Sequence, residues 1–239
     1  MRKIIALMIS DFKSIIREPM LGYMLAGPII YTLIIRFSIP ILQVKLSDHI
    51  YLPDYNGWIV GFFALMTPLL MGMVVGFMLL DERDEHVLMT LIVTPLGKSG
   101  YLSYRLGIPV LISLLYSMIL LPALGLMEIS FVQLFLLAVV VALEAPLVAL
   151  FLANWAGNKV EGLALSKGLG LLLMAPMVSL FIKNKWSLLA GIIPFYWPVQ
   201  AIVKMNEGMG TFLIYLGIGF MIHLIYFSLF LRRFQVRIF

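Results

Sequence analysis

Residues 58–80 read WIVGFFALMTPLLMGMVVGFMLL, an uninterrupted apolar run without a charged or amide side chain. An α-helix rises 1.5 Å per residue, so a helix over this run would be about 34 Å long, more than the ~30 Å hydrocarbon core of a bilayer. A helix also satisfies its internal backbone polar groups without water. The run therefore predicts a transmembrane helix. Gly72 and Gly76, in G-x-x-x-G spacing, would let a second helix pack closely against it.

Similar apolar runs recur along the whole chain of 239 residues. Hydrophobic residues make up 62% of the chain and charged residues only 12%, and the mean hydropathy is +1.06. Soluble domains carry about 25% charged residues. We therefore expect an all-α integral membrane protein, one domain over residues 1–239, with six transmembrane helices. The other five predicted spans are approximately residues 21–44, 106–126, 131–153, 162–182 and 211–231.

Two further segments are rich in apolar residues but do not have the pattern of a span. Residues 1–18 place apolar side chains at helical spacing with basic side chains at other positions, and the helix breaker Pro19 follows. This pattern predicts an amphipathic helix lying in the membrane interface. Residues 183–210 are apolar but are interrupted by Pro194 and Pro198, so no continuous span is expected there.

Basic residues are unevenly distributed among the polar segments between the predicted spans. With the N-terminus inside, twelve Lys or Arg fall on the inner side and four on the outer side, and Arg36 lies within a span. The positive-inside rule therefore places both termini in the cytoplasm, in agreement with an even number of spans. This bias also explains the net charge of +5 without a nucleic-acid partner.

The most polar stretch is residues 81–105, which read DERDEHVLMTLIVTPLGKSGYLSYR. Four acids surround Arg83, and a short apolar helical face follows. The simplest interpretation is a solvated connector between two spans. Gly97-Lys98-Ser99 resembles the end of a phosphate-binding loop, but Ile92 stands where that motif needs its leading glycine.

Gly97-Lys98-Ser99-Gly100 also matches the G-x-S-G motif of intramembrane rhomboid serine proteases. His223, in a later predicted span, could then serve as the base. Ser99, however, falls in a charged segment predicted to be cytoplasmic, whereas such a protease needs its serine inside the membrane.

The run DERDEHVLMTLIVTPLGKSGYL resembles the signature of ABC-2 type transporter permeases, in which an acidic E-R-E/D stretch at the end of the second span precedes an L-x-V-T-P-L segment. GIIPFYWPVQAI, residues 191–202, resembles the outer re-entrant hairpin of that family, and residues 1–18 resemble its connecting helix. NKVEGLALSKGLG, residues 158–170, and PFYWP, residues 194–198, resemble small drug-export permeases, including the fluoroquinolone type.

The resemblance implies a cytoplasmic coupling helix, from His86 to Thr94 within residues 81–105, that docks on an ABC ATPase subunit. ATP and Mg would be bound by that partner, because no stretch here is long and polar enough for a soluble domain. Two permeases, identical or similar, would pair in a prokaryotic plasma membrane, with residues 183–210 as an extracellular re-entrant segment. The residues expected to carry the coupling are Glu82, Asp84, Glu85, Val87, Leu88, Leu91, Thr94 and Pro95.

Three ionisable residues, Arg36, Glu144 and His223, are predicted within spans. A charge at the centre of a membrane helix costs roughly 2.5–3.5 kcal/mol on insertion scales, so each residue needs a partner or a wet cavity. They could line the translocation path, and Glu144 could pair with His223. Alternatively they clamp helices together, His223 stays neutral on a backbone carbonyl, and Arg36 extends towards the outer surface. No metal-ligand spacing is present, and the chain has no cysteine.

Three functions are compatible with these features. The first is the permease subunit of an ATP-binding cassette exporter, with no catalytic site of its own, that moves a hydrophobic or amphipathic substrate and could confer multidrug resistance. The second is a secondary transporter in which Glu144 carries coupled protons. The third is an intramembrane serine protease that uses Ser99.

Overall fold

The computed structural model describes residues 2–86 and 97–238, and all regular structure within these ranges is helical. Three short 3₁₀ helices cover Leu52–Tyr55, Lys185–Ile192 and Met205–Glu207. The α-helices of the described ranges are α1 (Arg2–Arg17), α2 (Pro19–Leu46), α3 (Asn56–Asp84), α4 (Gly97–Leu124), α5 (Phe131–Ala142), α6 (Glu144–Trp155), α7 (Lys159–Leu172), α8 (Val178–Phe181), α9 (Tyr196–Val203) and α10 (Met209–Ile238).

Five helical stretches of the described chain are long and apolar enough to cross a membrane. They confirm a multi-pass, all-helical membrane protein. The stretches are Pro19–Leu46, Leu52–Asp84, Gly97–Leu124, Phe131–Trp155 and Met209–Arg237.

The fifth predicted span, residues 162–182, does not form one continuous helix. The helix α7 ends at Leu172, a series of turns follows, and α8 is only four residues long. Pro176 has no N–H to donate to the carbonyl of Leu172, four residues earlier, so the break lies where one hydrogen bond of the helix is missing. The prediction from hydropathy was therefore wrong about helix continuity here, because hydropathy does not register the effect of proline on the backbone.

The fourth predicted span is also interrupted, at Leu143 between α5 and α6. Pro146 lacks the N–H that would otherwise bond to the carbonyl of Ala142. At the break, the N–H of Leu143 bonds to the carbonyl of Val140, three residues earlier, at 3.2 Å, rather than to a carbonyl four residues earlier as in an α-helix. As a result, Glu144 begins a new helical segment in the middle of an apolar stretch.

The helix α3 forms the centre of the bundle and packs against α2, α4, α6 and α9. Most of its residues from Val60 to Leu80 are buried. By contrast, α2, α4 and α10 present exposed apolar side chains such as Phe37, Leu111 and Ile225. Exposed apolar surfaces of this kind are expected on helices that face lipid tails.

The G-x-x-x-G pair on α3 forms the contact with α6. A Cβ atom added at Gly72 would lie 2.6 Å from the Cβ of Val148, and one added at Gly76 would lie 2.8 Å from Cδ1 of Leu152. Both distances are too short for real carbon atoms. Gly72 is therefore required for the close approach of the two helices, and a larger residue at Gly76 would displace the side chain of Leu152, as the sequence pattern indicated.

We expect Gly72→Leu to destabilise the bundle by about 1–3 kcal/mol, because the new side chain would overlap α6. A thermal melt in detergent should show a lower Tm. Gly217→Leu is the matched control, since nothing lies within 4 Å of a Cβ added at Gly217 in α10. Equal melting temperatures for the two variants would contradict the assigned α3–α6 contact.

Candidate functional site

An arginine near the start of α4 binds the acidic motif at the end of α3. Arg105 donates to both carboxylate oxygens of Glu82 and, through Nη1, to Asp11 of α1 at 2.7 Å. The hydroxyl of Tyr101 donates to Glu82, and that of Tyr104 donates to Asp11 at 2.6 Å. The side chain of Arg105 is only 5% exposed. We call these five residues the Arg105 cluster, and it joins α1, α3 and α4.

Lys159, at the start of α7, makes a second set of contacts with the same motif. Its Nζ lies 2.6 Å from Glu18 and 2.7 Å from Asp81, and its backbone N–H donates to Asp84 at 3.0 Å. Partial burial lowers the pKa of Lys159, but its hydrogen bonds to Asp81 and Glu18 outweigh this effect and leave the pKa raised. Lys159 is therefore cationic at neutral pH, and it joins α7 to α3 and to the junction of α1 and α2.

Arg83, the remaining charged residue of the helical part of the motif, bonds to the end of α6. It donates to the carbonyls of Ala153 and Ala156 at 3.1 and 2.8 Å. Unpaired carbonyls at a helix C-terminus carry partial negative charge, which favours a cation there. Close by, Asn154 donates from Nδ2 to the carbonyl of Phe230 at 2.9 Å, and Arg237 donates to the carbonyl of Asn154. The last turns of α6 and α10 are thus joined.

These contacts show where the residues predicted to couple to an ATPase are located. Glu82 and Asp84 are engaged within the chain, and Glu85 is exposed just beyond the end of α3. His86 then adopts a left-handed conformation, with φ of 57°, as the chain leaves the helix. The other predicted coupling residues lie outside the described ranges; they are Val87, Leu88, Leu91, Thr94 and Pro95.

The partners of the motif were not identified in the sequence analysis. Asp11 and Glu18 were assigned only to the N-terminal amphipathic segment, and Arg105 and Lys159 only to the count of inner basic residues. Arg105 lies 94 residues from Asp11, and Lys159 lies 141 residues from Glu18. No local periodicity connects positions that far apart. The only available signal was the sign of the charges.

Glu144 and His223 meet in the interior of the bundle, as the sequence analysis had allowed. The Nε2 of His223 lies 3.6 Å from Oε1 of Glu144, and both side chains are fully buried. The Nδ1 of His223 lies 2.7 Å from the carbonyl of Gly219, so Nδ1 carries the hydrogen and Nε2 faces the carboxyl group. Within the described ranges, neither oxygen of Glu144 has a hydrogen-bond partner.

A cavity of about 860 Å³ lies between α4 and α10 next to this pair. His223 and Val110 line one end, and Lys98, Ser99 and Gln235 line the other. Twelve helical residues separate the two ends on each helix, which corresponds to about 18 Å. In the described structure His223 contacts Gly219 and Glu144 rather than Ser99. The geometry therefore offers no Ser–His pair for proteolysis.

Arg36 is far from the Glu144–His223 pair and has a different partner. Its Nη1 donates to the carbonyl of Ala123 at 2.8 Å, in the last turn of α4. A cation at this position interacts favourably with the C-terminal end of the helix dipole. The structure thus brings together two of the three charges predicted within spans and places the third at a helix end.

The fold and these contacts define a polytopic helical membrane protein whose motif residues join α1, α3, α4, α6 and α7. The described ranges contain no group of three His, Cys, Asp or Glu that could hold a metal ion. The chain belongs to the family described as fluoroquinolones export permease protein Rv2686c-like, whose model matches residues 11–231. The resemblance to fluoroquinolone-type export permeases is therefore confirmed.

Two curated relatives support this assignment, both from Mycobacterium tuberculosis. They are the fluoroquinolones export permease proteins of strain CDC 1551 / Oshkosh and strain ATCC 25618 / H37Rv. Each is 28% identical over 233 residues, which is 95% of this chain and 92% of the relative. No solved structure matches the chain. The chain is thus a membrane permease similar to drug exporters over nearly its whole length.

Proposed function

We propose that this protein is the permease subunit of an ABC exporter that moves fluoroquinolones or similar amphipathic drugs out of the cytoplasm or inner leaflet. ATP and Mg would be bound by a separate ATPase subunit. Two permeases, identical or similar, would form the path between them. The substrate class comes from the names of the relatives, and the mode of energy supply comes from the ABC-2 resemblance of residues 81–105.

The Arg105 cluster is the observation that carries this proposal. The predicted docking segment is the coupling helix from His86 to Thr94, and an ion pair joins its two flanks to each other. Glu82 precedes the segment, Arg105 follows it, and Asp11 connects the pair to α1. A force applied by an ATPase to the docking segment would therefore reach α1, α3 and α4 together.

The path of the chain supports six crossings with both termini in the cytoplasm. Residues 159–183 begin with Lys159 beside Glu18 and Asp81. They end at the opposite end of the bundle, where Phe181 and Lys183 line the same cavity as Asp54. In our proposal α7, the turns and α8 together form the fifth of the six crossings in chain order. The exposed apolar side chains Met8, Phe12 and Ile16 of α1 would lie in the inner interface.

The segment that precedes α10 fits the predicted re-entrant hairpin on the extracellular side. Lys183 and Lys204, near its two ends, line a cavity at the opposite end of the bundle from residues 81–86. Phe195, in its middle, is buried in the core cluster that contains Leu65 and Leu69 of α3. The segment would thus enter the outer leaflet, turn near Phe195 and return as α9.

Co-purification tests the proposed ATPase partner directly. We expect the wild-type permease to retain, through detergent extraction, the ATPase encoded beside its gene. The double variant Leu88→Asp/Leu91→Asp should bind that ATPase about tenfold more weakly, a loss of ~1.4 kcal/mol of binding free energy. Two charges on the apolar face of the docking segment would have to be desolvated at the interface.

Val236→Asp is the matched control, because it adds a charge at an exposed position near the same end of the bundle. It should retain the ATPase. If no ATPase accompanies any of the three proteins, the proposed energy source is wrong.

The Glu144–His223 pair supports one alternative, a proton-coupled transporter. The carboxyl group of Glu144 lies 3.6 Å from an imidazole nitrogen of His223, and His223 lines a cavity, so a small approach of the two groups would let them exchange a proton. Drug efflux from vesicles separates the two functions. Transport that needs ATP and persists after the proton gradient is collapsed supports the exporter, and the reverse result supports the alternative.

A further inference from the structure

A second large cavity lies at the end of the bundle opposite to the Arg105 cluster. Its volume is about 710 Å³, within the range of pockets that bind drug-sized molecules. Its walls come from the 3₁₀ helix before α3, the start of α3, residues 179–188, α9 and α10. None of the residues discussed for ATPase coupling contributes to it.

Aromatic rings form much of the lining of this cavity. They belong to Tyr55, Trp58, Tyr196 and Tyr215. Tyr196 is only 2% exposed, so it does not act as an anchor at the lipid surface. Tyr196 and Tyr215 are also both close to Trp197, with ring centroids 5.4 and 6.1 Å away. Rings arranged around a cavity favour a flat aromatic ligand, which can stack on them.

The charged side chains of the cavity have both signs. Lys204 is already paired with Glu207 at 2.6 Å, and this hydrogen bond raises the pKa of Lys204 more than partial burial lowers it. Lys183 and Lys185 are exposed and have no ion pair within the described ranges. They can bind a carboxylate, while Asp54 in the same lining can accept a cationic amine.

We propose that this cavity binds a planar aromatic zwitterion, with its ring system on the aromatic lining, its carboxylate at Lys183 and Lys185 and its amine towards Asp54. Fluoroquinolones are planar fused-ring carboxylic acids that often carry a basic amine, so they have this chemistry. The inference rests on the proposed export function and goes beyond it by placing a binding site at the extracellular end of the path, where the drug would be held before release.

A binding measurement on the purified full-length protein in lipid nanodiscs tests the site without an ATPase. The probe is norfloxacin, and its affinity is measured by equilibrium dialysis. We expect Lys183→Gln/Lys185→Gln to raise the Kd about tenfold through loss of the charged contacts. Trp58→Leu should raise it by a similar factor through loss of stacking. Decarboxylated norfloxacin should bind the wild type and the lysine variant equally.

Lys45→Gln is the matched control, because Lys45 is an exposed cation at the end of α2 and does not line the cavity. The two exposed lysines are not part of the core, so their variant remains informative even if Trp58→Leu fails to fold. If wild type binds norfloxacin and the lysine variant binds it with the same Kd, the proposed site is wrong and the export function stands. If wild type does not bind norfloxacin at all, the proposed substrate class is wrong as well.

Discussion

Arg105→Ala should abolish drug export and lower the thermal stability of the protein more than any other single substitution of a charged residue. The change would leave Asp11 and Glu82 without their shared cation, although their side chains are only 16% and 15% exposed. Removing one member of a buried ion pair costs about 3–5 kcal/mol. Drug resistance of expressing cells and a melt in detergent measure the two effects.

The variant Arg105→Lys separates the charge from the geometry. A lysine keeps the positive charge but cannot present two donor groups to Glu82 and a third to Asp11 as the guanidinium does. We expect it to recover part of the stability and little of the export. Arg232→Ala is the control, because Arg232 is an exposed cation near the end of α10. Wild-type export by Arg105→Ala would show that the cluster has no role in coupling.

Glu144→Gln should produce a protein that assembles normally but exports drug at least about tenfold more slowly, which corresponds to ~1.4 kcal/mol in a rate-limiting step. The oxygens of Glu144 make no hydrogen bond in the described structure, so replacing the carboxyl group breaks no such contact. It does remove the acidic group that faces His223 next to the cavity between α4 and α10, where we expect it to line the translocation path. An unpaired buried carboxyl group costs free energy, and such groups in membrane helices are commonly retained for function.

The apolar variant Glu144→Leu tests the same idea from the opposite direction. It removes the buried polar group, so it should not lower the melting temperature, and export should still be lost. Yield, gel-filtration profile and transport should be measured for both variants. Loss of assembly in Glu144→Gln would instead identify the pair as a clamp between α6 and α10.

Much of the architecture could be predicted from local patterns in the sequence. Apolar runs of the right length gave five of the transmembrane helices, and the G-x-x-x-G spacing indicated the close contact of α3. Residues 158–170 and 194–198 pointed to the fluoroquinolone-type export permeases, the family that the comparison with known proteins confirmed. These features depend on residues within one or two helical lengths of each other, so composition and spacing are enough to reveal them.

Helix ends and interruptions were harder to predict. The helix α4 begins at Gly97, nine residues before the predicted start at residue 106, because Tyr101, Tyr104 and Arg105 find buried partners that stabilise a polar helical turn. The breaks near Pro146 and Pro176 lie where a backbone donor is missing, but α2, α3 and α4 continue through their own prolines, so proline position alone does not show where a helix ends.

The membrane environment, the helical class and the position of the acidic motif follow from the sequence alone, since each is a sum of local preferences. Which charges meet does not follow from it. Arg105 selects Asp11 and Glu82, and Glu144 lies beside His223, only because the packed helices turn particular faces towards each other. A buried charge needs a partner within a few ångströms, and only the three-dimensional packing of helices distant in sequence supplies one.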